Sequence, residues 1–355
     1  MRSSTDQADA PARPSRPRYT RQRSGPLRFL APLLAVLVLL VLITESLALG
    51  SRTLSPEEVW QGLLAYDNSV ASKVVWGLRI HRTILAIVVG ASLAVAGVVM
   101  QALTRNPLAE PGILGVNAGA SLAVVAAIGG LGLTSVNQYL PFAFAGAAAA
   151  AVLVHVMARR SADAGPARLV LAGVALGASL SSITGTMTMY NSKAFDSYRF
   201  WVVGSLENRK LEVLLWVAPF LAVGLVLALA SAHSLNALAL GDEQATALGV
   251  NLAVVRGGAF VAITLLCGAA TAAAGPISFI GLVIPHVVRL LVGADQRRLL
   301  AWSVAAGAGL LLAADVAGRL LVRPTELEAG IVTAFIGAPV LLVLALTNRT
   351  VRRSA

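Results

Sequence analysis

Side chains able to do chemistry are sparse and rarely fall at useful spacing. The four histidines, His81, His155, His233 and His286, are not paired at metal-ligand spacing, and no H-E-x-x-H string occurs. One cysteine, Cys267, excludes a disulfide framework, a cysteine zinc site and an iron–sulfur site. There is no G-x-S-x-G. Lys73, Lys193 and Lys210 follow Ser, Ser and Arg, so none completes the Gly-Lys pair that reaches nucleotide phosphates in a P-loop. The chain is therefore not expected to bind ATP by a Walker A loop or to act as an enzyme. Active transport by it would draw on another polypeptide or an ion gradient.

Four groupings remain. Asp315 and Arg319 stand at i, i+4 on one helix face, which suits a local ion pair better than a proton or sodium relay. Arg79 and Arg82 lie three residues apart, and with Arg319 they supply guanidinium forks suited to carboxylates; headgroup snorkelling is the alternative reading. Residues 231–251, SAHSLNALALGDEQATALGVN, can fold as a small helix–turn–helix knob. In it Asp242 would cap a helix over 243–248, Gly249 would supply the left-handed turn, Ala245, Ala247 and Leu248 are small or apolar, and Glu243 is charged. Such a knob suits a groove on a partner, although an ordinary surface turn has the same pattern. Finally, residues 159–168, RRSADAGPAR, include Ser161, Ala162, Asp163, Ala164 and Gly165, small or polar groups that can move without repacking a core.

These groups need elements to hold them. Of the 355 residues 57% are hydrophobic and 13% charged, about half the charged share of a soluble domain, which is roughly 25%. Mean hydropathy is +0.78. A bilayer helix takes about 20 residues, and apolar runs fall at 27–49, 80–103, 113–131, 138–158, 167–190, 211–231, 252–273, 278–291, 299–321 and 329–347. The expected fold is an all-α polytopic membrane protein of about ten transmembrane helices, its eighth span too short to cross alone. Residues 1–26 read as a disordered basic tail and 349–355 as a short C-terminal tail, with the ten-helix transmembrane domain between them at 27–348. The first run is longer than a signal-peptide core, so it is expected to be retained. Placing both termini in the cytoplasm puts 18 of the 28 Lys and Arg there, as the positive-inside rule asks. The net charge of +11 thus reflects membrane orientation rather than nucleic-acid binding. Gly173, Gly177, Ser181 and Gly185 recur every four residues in the fifth run, as do Gly330, Ala334 and Ala338 in the tenth. Both stripes fit either packing within the chain or a seam with a second subunit.

Several strings together resemble one family: RIHRTILAIVVGASLAVAGVVMQALTRNPLAEPGILGVNAG at 79–119, GDEQATALG at 241–249, GPISFIGLVIPHVVRL at 275–290 and GIVTAFIGAPV at 330–340. The chain is identified as similar to the permease subunits of bacterial ABC importers for iron–siderophores, haem and cobalamin, with a type II importer fold. The resemblance runs from about residue 30 to 348. YRFWVVGSLENRKL and LCGAATAAAGPISFIGL resemble most the ferric-enterobactin branch, which implies a catecholate-type cargo. It further implies a second permease, as a homodimer or with a paralogue, and two cytoplasmic ATPases that use ATP and magnesium. An extracytoplasmic binding (lipo)protein would deliver the cargo, and the site would be the bacterial inner membrane. By the same resemblance 231–251 couples to the ATPase and Arg79, Arg82 and Arg319 receive glutamates of the binding protein. The 159–168 loop would form a cytoplasmic gate, and the fifth and tenth spans would line the path. Ser181, Ser182, Thr184 and Thr186 would then give a smooth, weakly binding wall. The family commonly reads R-L-P-R where this chain has His81, which puts in doubt the turn before the second span. Haem or cobalamin import is the alternative; an ion-coupled transporter or a membrane enzyme is a distant one, since neither midplane charges nor a polar catalytic cluster is evident.

Overall fold

The computed structural model describes residues 27–50, 54–64, 66–67, 69–159, 166–323 and 325–353. Among them every regular element is helical. In chain order these are α1 (Leu27–Ala48), α2 (Pro56–Leu64), α3 (Val70–Val74), a π-helical turn (Val75–Arg79), α4 (Ile80–Thr104), a 3-10 turn (Pro111–Leu114), α5 (Val116–Leu131), α6 (Val136–Arg159) and α7 (Pro166–Tyr190). There follow α8 (Ser192–Val202), α9 (Leu211–Leu238), α10 (Asp242–Ala247), α11 (Leu252–Ala274), α12 (Ile280–Val292), α13 (Gln296–Leu321) and α14 (Ala329–Arg353). Seven helical stretches are long and apolar enough to cross a bilayer, and α5, α12 and α14 contribute three shorter apolar segments. Together they occupy the ten expected positions. Helices are the outcome dictated by apolar surroundings, where each backbone N–H must find its carbonyl within the segment.

The second apolar span, α4, is the hub. It packs on α9, α11, α12 and α13, and the span that contains it is among the most buried of the protein. Small residues make this possible. Gly90 and Gly307 face one another so closely that a β-carbon on either would stand 2.4 Å from the other's carbonyl oxygen. By contrast α1 shows Leu33, Leu34, Leu37 and Leu40 on its surface, as a helix bathed in lipid would. The face of α7 is almost as open: Leu171, Val174, Ile183, Met189 and Tyr190 are all exposed.

The structure differs from the sequence expectations at several boundaries. The third span starts at Val116, because Pro111–Leu114 forms a separate turn and Gly115 has φ +78°. The eighth is the 13-residue α12, preceded by a non-helical stretch from Gly275. Residues 231–238 of the presumed knob belong to the end of α9, and α14 runs on through Arg353 where a tail was expected. There is no turn before the second span for His81 to loosen. The helix is continuous from Val70, and His81 Nδ1 lies 3.1 Å from the Gly77 carbonyl oxygen within the π-helical turn.

Candidate functional site

At one end of the bundle two of the three singled-out arginines, Arg79 and Arg319, converge on the C-terminus of α1. Arg79 donates from Nη1 to the carbonyls of Leu47 and Ala48, both at 2.7 Å. Arg319 donates from Nη1 to Ser46 O at 2.8 Å and Leu49 O at 2.9 Å, and from Nη2 to Ser46 Oγ. The last carbonyls of a helix lack intrahelical partners and carry its negative dipole end, so two guanidiniums there satisfy both hydrogen bonding and charge. Arg319 also pairs with Asp315, the expected i, i+4 contact. Sequence spacing did not reveal the rest: Arg82 grips the same Asp315 at 2.8 Å and Glu326 at 2.6 Å. Asp315 is wholly buried, Arg319 is 2% and Arg79 5% exposed. All three guanidiniums border a small cavity of about 230 Å³, with Arg209, Glu207 and Glu326 on its wall.

At the other end of α4 the knob forms. Gly249 adopts φ +81°, its N–H bonds to Thr246 O at 2.9 Å, and Val250 N–H bonds to Ala245 O at 3.0 Å. That pair of bonds is a Schellman C-terminus, which needs a left-handed residue where glycine stands. Ala245 is buried and anchors α10, while Glu243, Ala247, Leu248 and Gly249 are exposed. One assignment changes. The N-cap is Gly241, and Asp242 points instead to two arginines: Arg105 at the end of α4, and Arg256 of α11 at 2.6 Å. Burial alone would raise the Asp242 pKa, but the hydrogen bonds and charges of Arg256 and Arg105 outweigh it and hold the carboxyl below its usual range. Beside the knob, Asn236 donates to Asp295 at 3.0 Å and accepts from Gln296 N–H at 2.9 Å, tying α9 to α13.

The two small-residue stripes divide. Gly173 packs within the chain, where a β-carbon would lie 2.0 Å from Ile113 O, whereas Gly177 and Gly185 have open space beside them. Ser181, Ser182 and Thr186 are exposed and Thr184 is buried. The hydroxyls of Ser182, Thr184 and Thr186 each donate to the carbonyl four residues back, at 2.8 to 3.0 Å. Their donors are thus already used by the helix's own backbone. Gly330 abuts Val203 O, while Ala334 and Ala338 border a cavity of about 770 Å³ with Pro276, Phe279 and Phe335. Ser161, Ala162, Asp163 and Gly165 lie outside the described residues.

The FecCD transport family model matches residues 37–347. The ferric enterobactin transport system permease protein FepD of Escherichia coli (strain K12) is 44% identical over 312 residues, covering 87% of this chain and 93% of that protein. The vitamin B12 import permease BtuC of Yersinia enterocolitica is 41% identical over 94% of this chain and 96% of that one, and the hemin permease HmuU of Yersinia pestis 36% over 93% and 98%. A solved structure described as an inward-facing conformation of a putative metal-chelate type ABC transporter superposes with a TM-score of 0.77 at 30% identity, covering 89% of this chain and 98% of that chain. With ten apolar helices in the matching arrangement, the chain belongs to the FecCD transport family, the multi-pass inner-membrane permeases of bacterial ABC importers for iron–siderophores, haem or vitamin B12.

Proposed function

We propose that the chain pairs with a second permease and moves a ferric siderophore, preferentially of the catecholate type, into the cytoplasm by alternating access. The observation that carries the cargo is the 44% identity to the enterobactin permease, against 41% and 36% for the vitamin B12 and hemin permeases. Both termini lie in the cytoplasm in this reading. Two ATPase subunits dock on the exposed face of α10 and consume ATP and magnesium there. The chain itself binds no cofactor, and its path helix, with hydroxyls already bonded to its own backbone, leaves cargo selection to an extracytoplasmic binding protein. The binding protein presents glutamates to the cavity of Arg79, Arg82 and Arg319. The small residues 161–165 act as the inner gate.

Labelled-iron uptake in cells deleted for this gene, with catecholate, hydroxamate, haem and cobalamin offered separately, tests the cargo. Loss of haem or cobalamin uptake with intact siderophore uptake refutes the siderophore reading and keeps the permease. For docking, charge reversal at Arg319 is a poor probe, because it sets a carboxylate against buried Asp315. Arg79→Gln is the better one: binding-protein affinity in reconstituted vesicles is expected to fall with assembly intact. Unchanged affinity would reduce Arg79 to a cap on α1.

A further inference from the structure

The most distinctive string of the chain, Arg105–Gly115 (RNPLAEPGILG), has no task in the account so far. Its first residue closes α4. Arg105 N–H bonds to Ala102 O and Asn106 N–H to Gln101 O at 3.2 Å, another Schellman end, with Arg105 itself at φ +49°. Glycine would sit there without strain, and a side chain kept in spite of that strain points to work for its guanidinium. The guanidinium holds the base of the knob: Nε donates to Leu238 O at 2.9 Å, at the end of α9, and Nη2 pairs with Asp242 of α10.

The segment is braced along its length. Asn106 Oδ1 accepts from Leu108 N–H at 3.0 Å, Ala109 N–H bonds to Asn106 O at 3.1 Å, and the 3-10 turn follows. Its far half reaches two helices. Glu110 Oε1 accepts from Phe279 N–H at 2.9 Å. Phe279 stands at the break before α12 with φ +72°, and it presses on α14 where a β-carbon at Gly337 would be 2.2 Å from its own. Three residues beyond Glu110, the Ile113 carbonyl oxygen lies against Gly173 of α7. One short braced segment therefore touches the knob, α14 through Phe279, and α7.

We propose that residues 105–115 are a stiff link that carries movement of the α10 knob to α7 and α14 of the same chain, with Arg105 and Glu110 as the positioning residues at its two ends. The link rests on the reading that the ATPase docks on α10. A flexible connection would absorb a push, whereas packed elements with fixed contacts pass it on.

The test uses the permease reconstituted in proteoliposomes with its ATPase and binding protein, and reads cargo moved per ATP hydrolysed. Arg105→Gly keeps the left-handed turn and removes the guanidinium. Thermal stability and ATPase co-purification are expected to hold while cargo per ATP falls about tenfold, within the usual span of coupling between sites. Adding Asp242→Ala to it should lower cargo per ATP little further, since both remove one interaction. Glu110→Ala should lower the ratio and Glu110→Gln, which keeps an accepting oxygen, should restore it. An unchanged ratio in Arg105→Gly overturns the link, as does equal behaviour of the two Glu110 variants. Failure of the docking reading looks different: Leu248→Asp and Gly249→Val then leave ATPase binding intact, whatever Arg105→Gly does.

Discussion

Replacing Gly249 by valine isolates the backbone requirement of the knob. A β-carbon there meets nothing within 4 Å, so the substitution introduces no clash, and its cost lies in the φ of +81° alone. Holding a non-glycine residue in the left-handed region costs of order 1–3 kcal/mol, more for a β-branched one. At about 2 kcal/mol the equilibrium between the docking-competent turn, with its bonds from Gly249 and Val250, and its alternatives shifts about thirtyfold, so apparent affinity for the ATPase would fall by up to about thirtyfold. Asparagine tolerates this conformation, so Gly249→Asn should stay within about fivefold of the parent, with alanine between the two. Titrating purified ATPase onto detergent-solubilised permease gives the three constants, and uptake in cells should follow the same order. Equal affinity for the valine and asparagine variants would refute the reasoning, since it would show that the turn does not set the docking surface.

Asp315→Ala removes the one carboxylate shared by Arg82 and Arg319 and leaves buried positive charge behind; a loss of about 3–5 kcal/mol is expected, read as a lowered unfolding midpoint in detergent, with Asp315→Asn milder. The Asp242 carboxyl has a depressed folded pKa, so its contribution is complete at neutral pH and disappears only as pH falls through that value, below about 4. Asp242→Asn should erase that acid-side dependence of knob stability, followed by hydrogen exchange of α10. Gly307→Val drives side-chain atoms into the Gly90 carbonyl and should separate α4 from α13, seen as poor expression and loss of the folded species in size-exclusion chromatography; a well-folded variant would contradict the close crossing.

Hydropathy made the spans legible because lipid leaves the backbone no alternative to helix. Gly249 was legible because its conformation is local, and so was the Asp315–Arg319 pair, four residues apart. The contacts of Arg82 with Asp315 and of Arg105 with Asp242 cross 233 and 137 residues, and no local pattern encodes such partners. That distance also explains the misassigned cap: Asp242 has a capping side chain by type, but two distant arginines claim it. The glycine stripes were visible as spacing, yet spacing does not say which glycine meets a backbone. Gly173 does, Gly177 does not, and the close mutual crossing of Gly90 with Gly307 lay outside both stripes. The helix α8 was unexpected because it is amphipathic and short, with no apolar run to announce it.

The anchoring of α1 bears on how the chain is made. Its C-terminal carbonyls are held by Arg79, some 30 residues downstream, and by Arg319, which follows Ser46 by 273 residues. At roughly 5–20 residues per second of synthesis, the second clasp is translated between about 14 and 55 s after the first helix is complete. During that interval α1 waits in the bilayer, fastened by one arginine. A nascent chain halted before α13 should therefore leave α1 free to be pulled away or degraded, and closure of the bundle becomes one of the last events of translation.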